Sequence, residues 1–203
     1  VSAPDYDVVL LDLGGVVIDF SGPAELVDLV AEPLDVAEIK RRWGEDPCVA
    51  AFERGDSDAL TFARCFCERW RLELSADRFL ERFTGWSKCW LPGALTLLDD
   101  LRRRGRLACL SNSNPLHWER NHAVHRIHEY FDTCLASHEL RALKPEPRIF
   151  ATALDRLAVG AAGVVFFDDS PVNVAGARAC GVDAHCVDGP EDLRARLTAL
   201  GLL

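Results

Sequence analysis

Four short stretches carry side chains that could do chemistry together. "LLDLGG" ends an apolar run at Asp12 and follows it with Gly14 and Gly15. "LACLSNSN" closes another apolar run with Ser111 and Asn112. "ELRALKPEPRIF" places Lys144 in a polar break before a helix, and "VVFFDDSPVN" ends in the pair Asp168 and Asp169. Adjacent carboxylates resist joint ionisation unless something compensates them. A divalent cation is the natural compensator, and Mg²⁺ favours a few carboxylates plus water and phosphate over a full protein cage. Taken singly, each stretch has an ordinary explanation: a turn, a solvated charge, an acid pair favoured by a helix dipole. Four such coincidences at strand ends point instead to one ligand site, because open α/β sheets bind ligands beyond the carboxyl ends of their strands.

The elements that must position these residues follow from the apolar patterning. Strand-like runs occur at 7–12, 106–111, 132–136, 163–168 and 183–187. Helical stretches lie among them, such as "LPGALTLLDDLRRRG", with apolar residues at 95, 98 and 101 and basic residues in its last turn. "EPRIFATALDRLAVG", "SPVNVAGARACG" and "GPEDLRARLTAL" read as further helices. Strands alternating with helices predict an α/β fold around a Rossmann-like parallel sheet with right-handed crossovers. Residues 20–90 break that rhythm. Only helical pieces appear there, at 24–31, 35–43, 58–71 and 75–84, with Trp43, Phe52, Phe62, Phe66, Trp70, Phe79, Phe83 and Trp86 spaced for a helical core. An all-helical insertion after the first strand would sit over the end of that strand as a lid. The expected division is a core of 1–19 and 88–203 and a cap of 20–87.

Composition narrows the function classes. At 203 residues the chain can bury a sizeable core. A net charge of −9 argues against general nucleic-acid binding but allows a small phosphorylated ligand held by local cations and a metal. No run has the length of a membrane-spanning helix and the start lacks a leader pattern, so a cytoplasmic protein without membrane partners is expected. Eight scattered cysteines suit small buried hydrophobes in a reducing compartment better than a disulfide framework. Cys65 and Cys67, one residue apart, cannot present both thiols on one helix face, which disfavours zinc there. His122, His125 and His128, with His117 earlier on the same expected helix, step about 60° off register each time and read as structural. Arginine outnumbers lysine twenty to three. Oligomeric state is left open.

The ordered set Asp12, Ser111, Lys144, Asp168/Asp169 resembles the haloacid dehalogenase superfamily, over a core from Tyr6 to about Leu200. The resemblance implies a sheet of order 5-4-1-2-3 with its site at the central first strand, and a C1-type cap. More narrowly, "DLGGV", "SNSN..H", "LKPEPRIF" and "FFDDSPVN" look like the sugar-phosphate phosphatase branch that includes bacterial α-glucose-1-phosphate phosphatase. The implied roles make Asp12 the nucleophile, forming an aspartyl-phosphate. Mg²⁺ would bind Asp12, the Gly14 carbonyl and Asp169, with Asp168 as a direct or water-mediated ligand. Ser111 and the Asn112 backbone N–H would hold phosphate oxygens, and Lys144 would offset charge on nucleophile and transferring group. Asn173 is expected to cap its helix or orient the loop.

One position departs from the superfamily pattern. Many of its phosphatases carry a second aspartate two residues after the nucleophile, as general acid and then base, whereas this chain has Gly14. A backbone carbonyl can still ligate metal, but glycine cannot protonate a leaving alkoxide, help worth about 10²–10⁴-fold. Three readings follow: a working phosphatase of a small metabolite, with the proton supplied by water or another group; a binding or regulatory module; or a metal-independent dehalogenase, in which the paired Asp168 and Asp169 would have no evident purpose. The resembled branch also has glycine here, which favours the first. In "FERGDSD", Arg54 is a candidate contact for sugar or phosphate, against the simpler expectation of a surface salt bridge. His117 matches a histidine of that branch near the site without being assigned a catalytic role.

Overall fold

A computed structural model describes residues 6–203; residues 1–5, the start of the expected core segment 1–19, lie outside the described residues. The chain enters through β1 (Val8–Leu11) and β2 (Ile18–Phe20). Five helices come next: α1 (Gly22–Val27), α2 (Val36–Glu45), α3 (Pro47–Glu53), α4 (Ala59–Arg69) and α5 (Ala76–Thr84). After β3 (Ser87–Trp90) come α6 (Ala94–Arg102), β4 (Arg106–Ser111), α7 (Pro115–Ala123), β5 (Thr133–Ala136), α8 (Ser137–Leu140) and α9 (Pro147–Leu157). The chain closes with β6 (Val164–Asp168), α10 (Pro171–Ala179), β7 (Asp183–Cys186) and α11 (Gly189–Ala199). No described helix is long and apolar enough to cross a membrane.

The five core strands pair in parallel in the order β5-β4-β1-β6-β7, the 5-4-1-2-3 order when only these strands are counted. Their apolar runs lack polar alternation because both faces are covered. Leu11, Leu107, Cys109, Val165 and Phe167 face one layer with residues of α6 and α11. Val8, Leu10, Ala108, Leu110, Val164 and Phe166 face the other, with residues of α9 and α10. Register sets the site: Leu11 lies opposite Cys109 and Phe167. The Asp12 backbone N–H then donates to the Phe167 carbonyl at 2.8 Å, which puts Asp12 beside the Asp168 end of β6.

The inserted helices enclose their own aromatic core, with Phe52, Phe62, Phe66, Phe79, Phe83 and Trp86 at 0–1% exposure. Several expectations need correction. Residues 18–20 and 87–90 form a short antiparallel pair where the chain leaves and re-enters the core, too brief to show a period in sequence. Helix α3 was not expected, although Asp46 followed by Pro47 is a helix-start signal; the Asp46 carboxylate accepts from Cys48 N at 2.8 Å and Val49 N at 3.2 Å. The buried stripe of α6 is 94, 97, 98 and 101, and Leu95 is exposed. Helix α7 ends at Ala123, so His125 and His128 lie beyond it. Cys48 and Cys65 form a disulfide between α3 and α4, with Cα atoms 6.0 Å apart, against the expectation of scattered thiols. Of the free cysteines, Cys67 and Cys109 are buried as expected.

Candidate active site

The strand ends bring Asp12, Lys144, Asp168 and Asp169 together. Lys144 is 4% exposed, and its Nζ lies 2.8 Å from Asp12 Oδ1 and 2.6 Å from Asp168 Oδ2. Burial by itself would lower the Lys144 pKa, but the two carboxylates hold it above the ordinary lysine value. Asn112 positions this lysine: its Nδ2 donates to the Lys144 carbonyl at 2.9 Å, and its Oδ1 accepts from the Lys144 N–H at 2.8 Å. The Ser111 hydroxyl is 3.5 Å from its nearest partner, the Asn112 carbonyl, and so is not committed to a strong bond.

Asp168 is fully buried. Besides Lys144, it accepts from Ser170 N at 2.8 Å and from Asn173 Nδ2 at 3.0 and 3.2 Å. Asn173 therefore orients Asp168, while Ser170 is the cap of α10. Asp169 faces the cap, where Lys40 of α2 places its Nζ 3.8 Å from Oδ2. Gly15 makes the approach of Asp169 possible. Its φ is +74°, and a Cβ there would lie 2.6 Å from Asp169 Oδ2. Gly14, two residues past Asp12, bridges to Ile18.

Carboxylate oxygens of Asp12, Asp168 and Asp169 all lie within 4.8 Å of one another. Burial, opposed by Lys144 and reinforced by the other two carboxylates, pushes Asp12 up to about 7. Burial and Asp168 likewise raise Asp169, with Lys40 and Lys144 opposing. Three hard oxygen donors around one lysine fit a divalent cation, which would relieve this repulsion.

Other candidates fall outside the cluster. Arg54 pairs with Glu146 of the core, the salt-bridge reading. His117 is 5% exposed and structural. Asn114 Oδ1 accepts from His117 N at 3.1 Å, so the Asn114 amide nitrogen donates to His117 Nδ1 at 3.0 Å. His117 Nε2–H then donates to the Phe83 carbonyl of α5 at 2.7 Å. His122 stacks on His128, and His125 turns to Ser87 and Trp90, so these histidines do not converge. One residue near the cluster was missed in the sequence: Lys40 of α2, beside Asp169. The scarcity of lysine was a usable signal, because two of the three lysines meet these carboxylates.

Fold and site define a capped α/β hydrolase, and the family model of haloacid dehalogenase-like hydrolases matches residues 6–181. The chain belongs to that family. A phosphatase of Mycobacterium tuberculosis is 34% identical over 48% of this chain and 46% of its own length. A plasmid-encoded phosphoglycolate phosphatase of Cupriavidus necator is 28% identical over 86% of this chain and 68% of its own. An (S)-2-haloacid dehalogenase of Burkholderia cepacia is 32% identical over 63% and 55%. The chain thus spans between about half and two thirds of the curated relatives it matches. A predicted HAD-like hydrolase of Porphyromonas gingivalis superposes with a TM-score of 0.76 at 22% identity, covering 96% of this chain and 97% of the other. A HAD-family enzyme of Bacteroides thetaiotaomicron, solved with magnesium and inorganic phosphate, gives 0.70 at 22% identity, covering 90% and 94%. At such identities the superpositions establish the fold alone.

Proposed function

We propose that this protein is a magnesium-dependent phosphatase of a small phosphorylated metabolite, a sugar phosphate in the narrower reading, working through an aspartyl-phosphate on Asp12. The observation that carries this reading is the Lys144 ammonium between Asp12 and Asp168, with Asp169 completing a three-carboxylate cluster. A dehalogenase attacking neutral carbon has no use for that excess negative charge. A phosphatase does, because it must hold a cation against an anionic substrate. Asp12, Asp169 and the Gly14 carbonyl would hold Mg²⁺, with Asp168 beside them. When bound, the ion offsets the charge that keeps a phosphate dianion from an anionic nucleophile.

The chain's own residues supply the rest. Lys144 holds Asp12 Oδ1 and fixes the carboxylate plane, so that Oδ2 attacks phosphorus in line. The uncommitted Ser111 hydroxyl and the Asn112 N–H receive phosphate oxygens, while the Asn112 side chain keeps Lys144 in place. Residues 20–87 act as the cap that shields the reaction from bulk water and selects the leaving group. The phosphatases among the relatives favour this reading, and the intact cluster argues against a binding module without catalysis.

The test is phosphate release from a panel of phosphorylated metabolites with Mg²⁺ and again with excess chelator. Turnover that needs the metal supports the proposal. Full turnover in chelator, or chloride release from a 2-chloro acid with no phosphate release, would overturn it.

A further inference from the structure

In-line displacement puts the leaving oxygen on the far side of phosphorus from Asp12, so the rest of the substrate extends away from the strand ends and toward the cap. Helix α2 is the cap element that reaches the site there. Ile39 and Trp43, one turn apart, face its interior. Ile39 is 0% exposed, and the Trp43 ring packs edge-on to Phe20 with centroids 6.3 Å apart. Phe20 in turn borders Gly14, where a Cβ would lie 3.7 Å from Phe20 Cβ. This packing sets α2 beside the loop that follows Asp12. Lys40, next to Ile39, then extends to the carboxylate cluster, with its Nζ 3.8 Å from Asp169 Oδ2. Among the described residues, it is the cap cation within ion-pair distance of a site carboxylate.

Lys40 differs from its neighbours in what holds it. Arg41 donates to Glu38 at 2.8 Å and Glu45 at 2.6 Å, and Arg42 to Glu38 at 2.9 Å and Glu32 at 3.0 Å. Lys88 is bonded to Glu25, and Lys144 to Asp12 and Asp168. Of the three lysines, Lys40 alone has no hydrogen-bonded acceptor among the described residues, because 3.8 Å is a Coulombic contact and too long for a hydrogen bond. Its side chain is 61% exposed and that of Asp169 33%, so the ammonium stands at the open mouth of the site with its N–H donors unfilled. Once a bound dication offsets the Asp169 charge, the cap offers Lys40 no carboxylate in its place. The acceptor that remains is the substrate. Arg41 and Arg42 are committed to glutamates, so this single ammonium matches a monoanion better than a second phosphate. We propose that Lys40 is a specificity-determining residue that binds a carboxylate on the leaving-group part of the substrate. The substrate class is then the phosphate esters of hydroxy acids, sugar acids included. This inference rests on the phosphatase reading and narrows it.

The experiment measures kcat/KM with Mg²⁺ on two pairs of esters that differ only by a carboxylate in place of a CH₂OH group. The pairs are 3-phosphoglycerate against glycerol 3-phosphate, and gluconate 6-phosphate against glucitol 6-phosphate. Wild type should favour the acid by at least about fivefold in one pair or both, the worth of one charge pair near 4 Å even at the dielectric constant of water. The preference should shrink as sodium chloride is added. Among variants with the wild-type circular dichroism spectrum, Lys40→Met should bring the ratio close to one through KM, Lys40→Arg should keep it and Lys40→Glu should reverse it. A wild-type ratio of one or below in both pairs would overturn the proposal. So would a Lys40→Met protein that keeps the wild-type ratio, or a wild type that turns over other esters and neither acid. Phosphate release from no ester at all, or release unchanged by chelator, would instead strike the phosphatase reading itself.

Discussion

At the residue scale, Lys144 is the ammonium that joins two of the three clustered carboxylates, and Asp12 is the only one of the three at the end of the central strand. Asp12→Asn keeps the size of the side chain and removes the anionic nucleophile. Phosphate release should fall to background while the circular dichroism spectrum stays that of the wild type; near-normal turnover would place the nucleophile elsewhere. Gly14 offers a second and more discriminating change. Its φ is not in the left-handed region, and a Cβ there would meet only Phe20 Cβ, at an ordinary 3.7 Å. An aspartate therefore fits without backbone strain, unlike any side chain at Gly15. With an acid restored at this position, Gly14→Asp should gain at least about tenfold in kcat/KM on benzyl phosphate and little on nitrophenyl phosphate, within the range of general acid catalysis. Equal recovery on both esters would mean that the new carboxylate acts through metal or binding.

At the element scale, the seam between α5 of the cap and α7 of the core depends on a neutral His117. Its Nε2–H donates to Phe83 O while Nδ1 accepts from Asn114, so a second ring proton would face an N–H donor. Burial, partly opposed by the Phe83 carbonyl, lowers His117 to about 4. The unfolded chain then binds the extra proton first, so stability should be lost as pH falls from about 6.5 towards 4, by up to about 3 kcal/mol. Denaturant midpoints at pH 7 and pH 5 should differ more in wild type than in His117→Gln; equal differences would mean that His117 titrates freely. This seam also marks where sequence reading stops. Strands β1, β4 and β6 were legible because strands covered on both faces leave unbroken apolar runs, and their acidic or polar ends marked the site. The β2–β3 pair has three and four residues, too few for a period, and exists only because the chain returns to where it left. Helix α3 has seven residues, and only its Asp-Pro start was visible. Lys40 reaches the site through docking of the cap, which no local pattern encodes.

At the scale of the whole molecule, a chain of net charge −9 gathers three carboxylates in one place, two of them on Lys144 and the third near Lys40. Such a site works against folding while no cation is bound, since burial and mutual repulsion hold Asp12 and Asp169 above their ordinary pKa values. The unfolded chain has no such cluster and does not select a dication. Metal binding is therefore linked to folding: at a free Mg²⁺ concentration of about 100 Kd the native state gains roughly 2.7 kcal/mol. For a chain of this length that corresponds to a Tm rise of about 5–11 °C. Asp169→Asn separates this from a general salt effect. It removes one repelling carboxylate, so the metal-free protein should melt higher than wild type, and it removes a ligand, so the Mg²⁺ response should shrink to a few degrees at most. Thermal melts with Mg²⁺, with chelator and with sodium chloride at matched ionic strength decide the matter. A wild-type Tm that rises equally with sodium chloride, or an Asp169→Asn protein that keeps the full Mg²⁺ response, would mean that the carboxylate cluster is not where the cation binds.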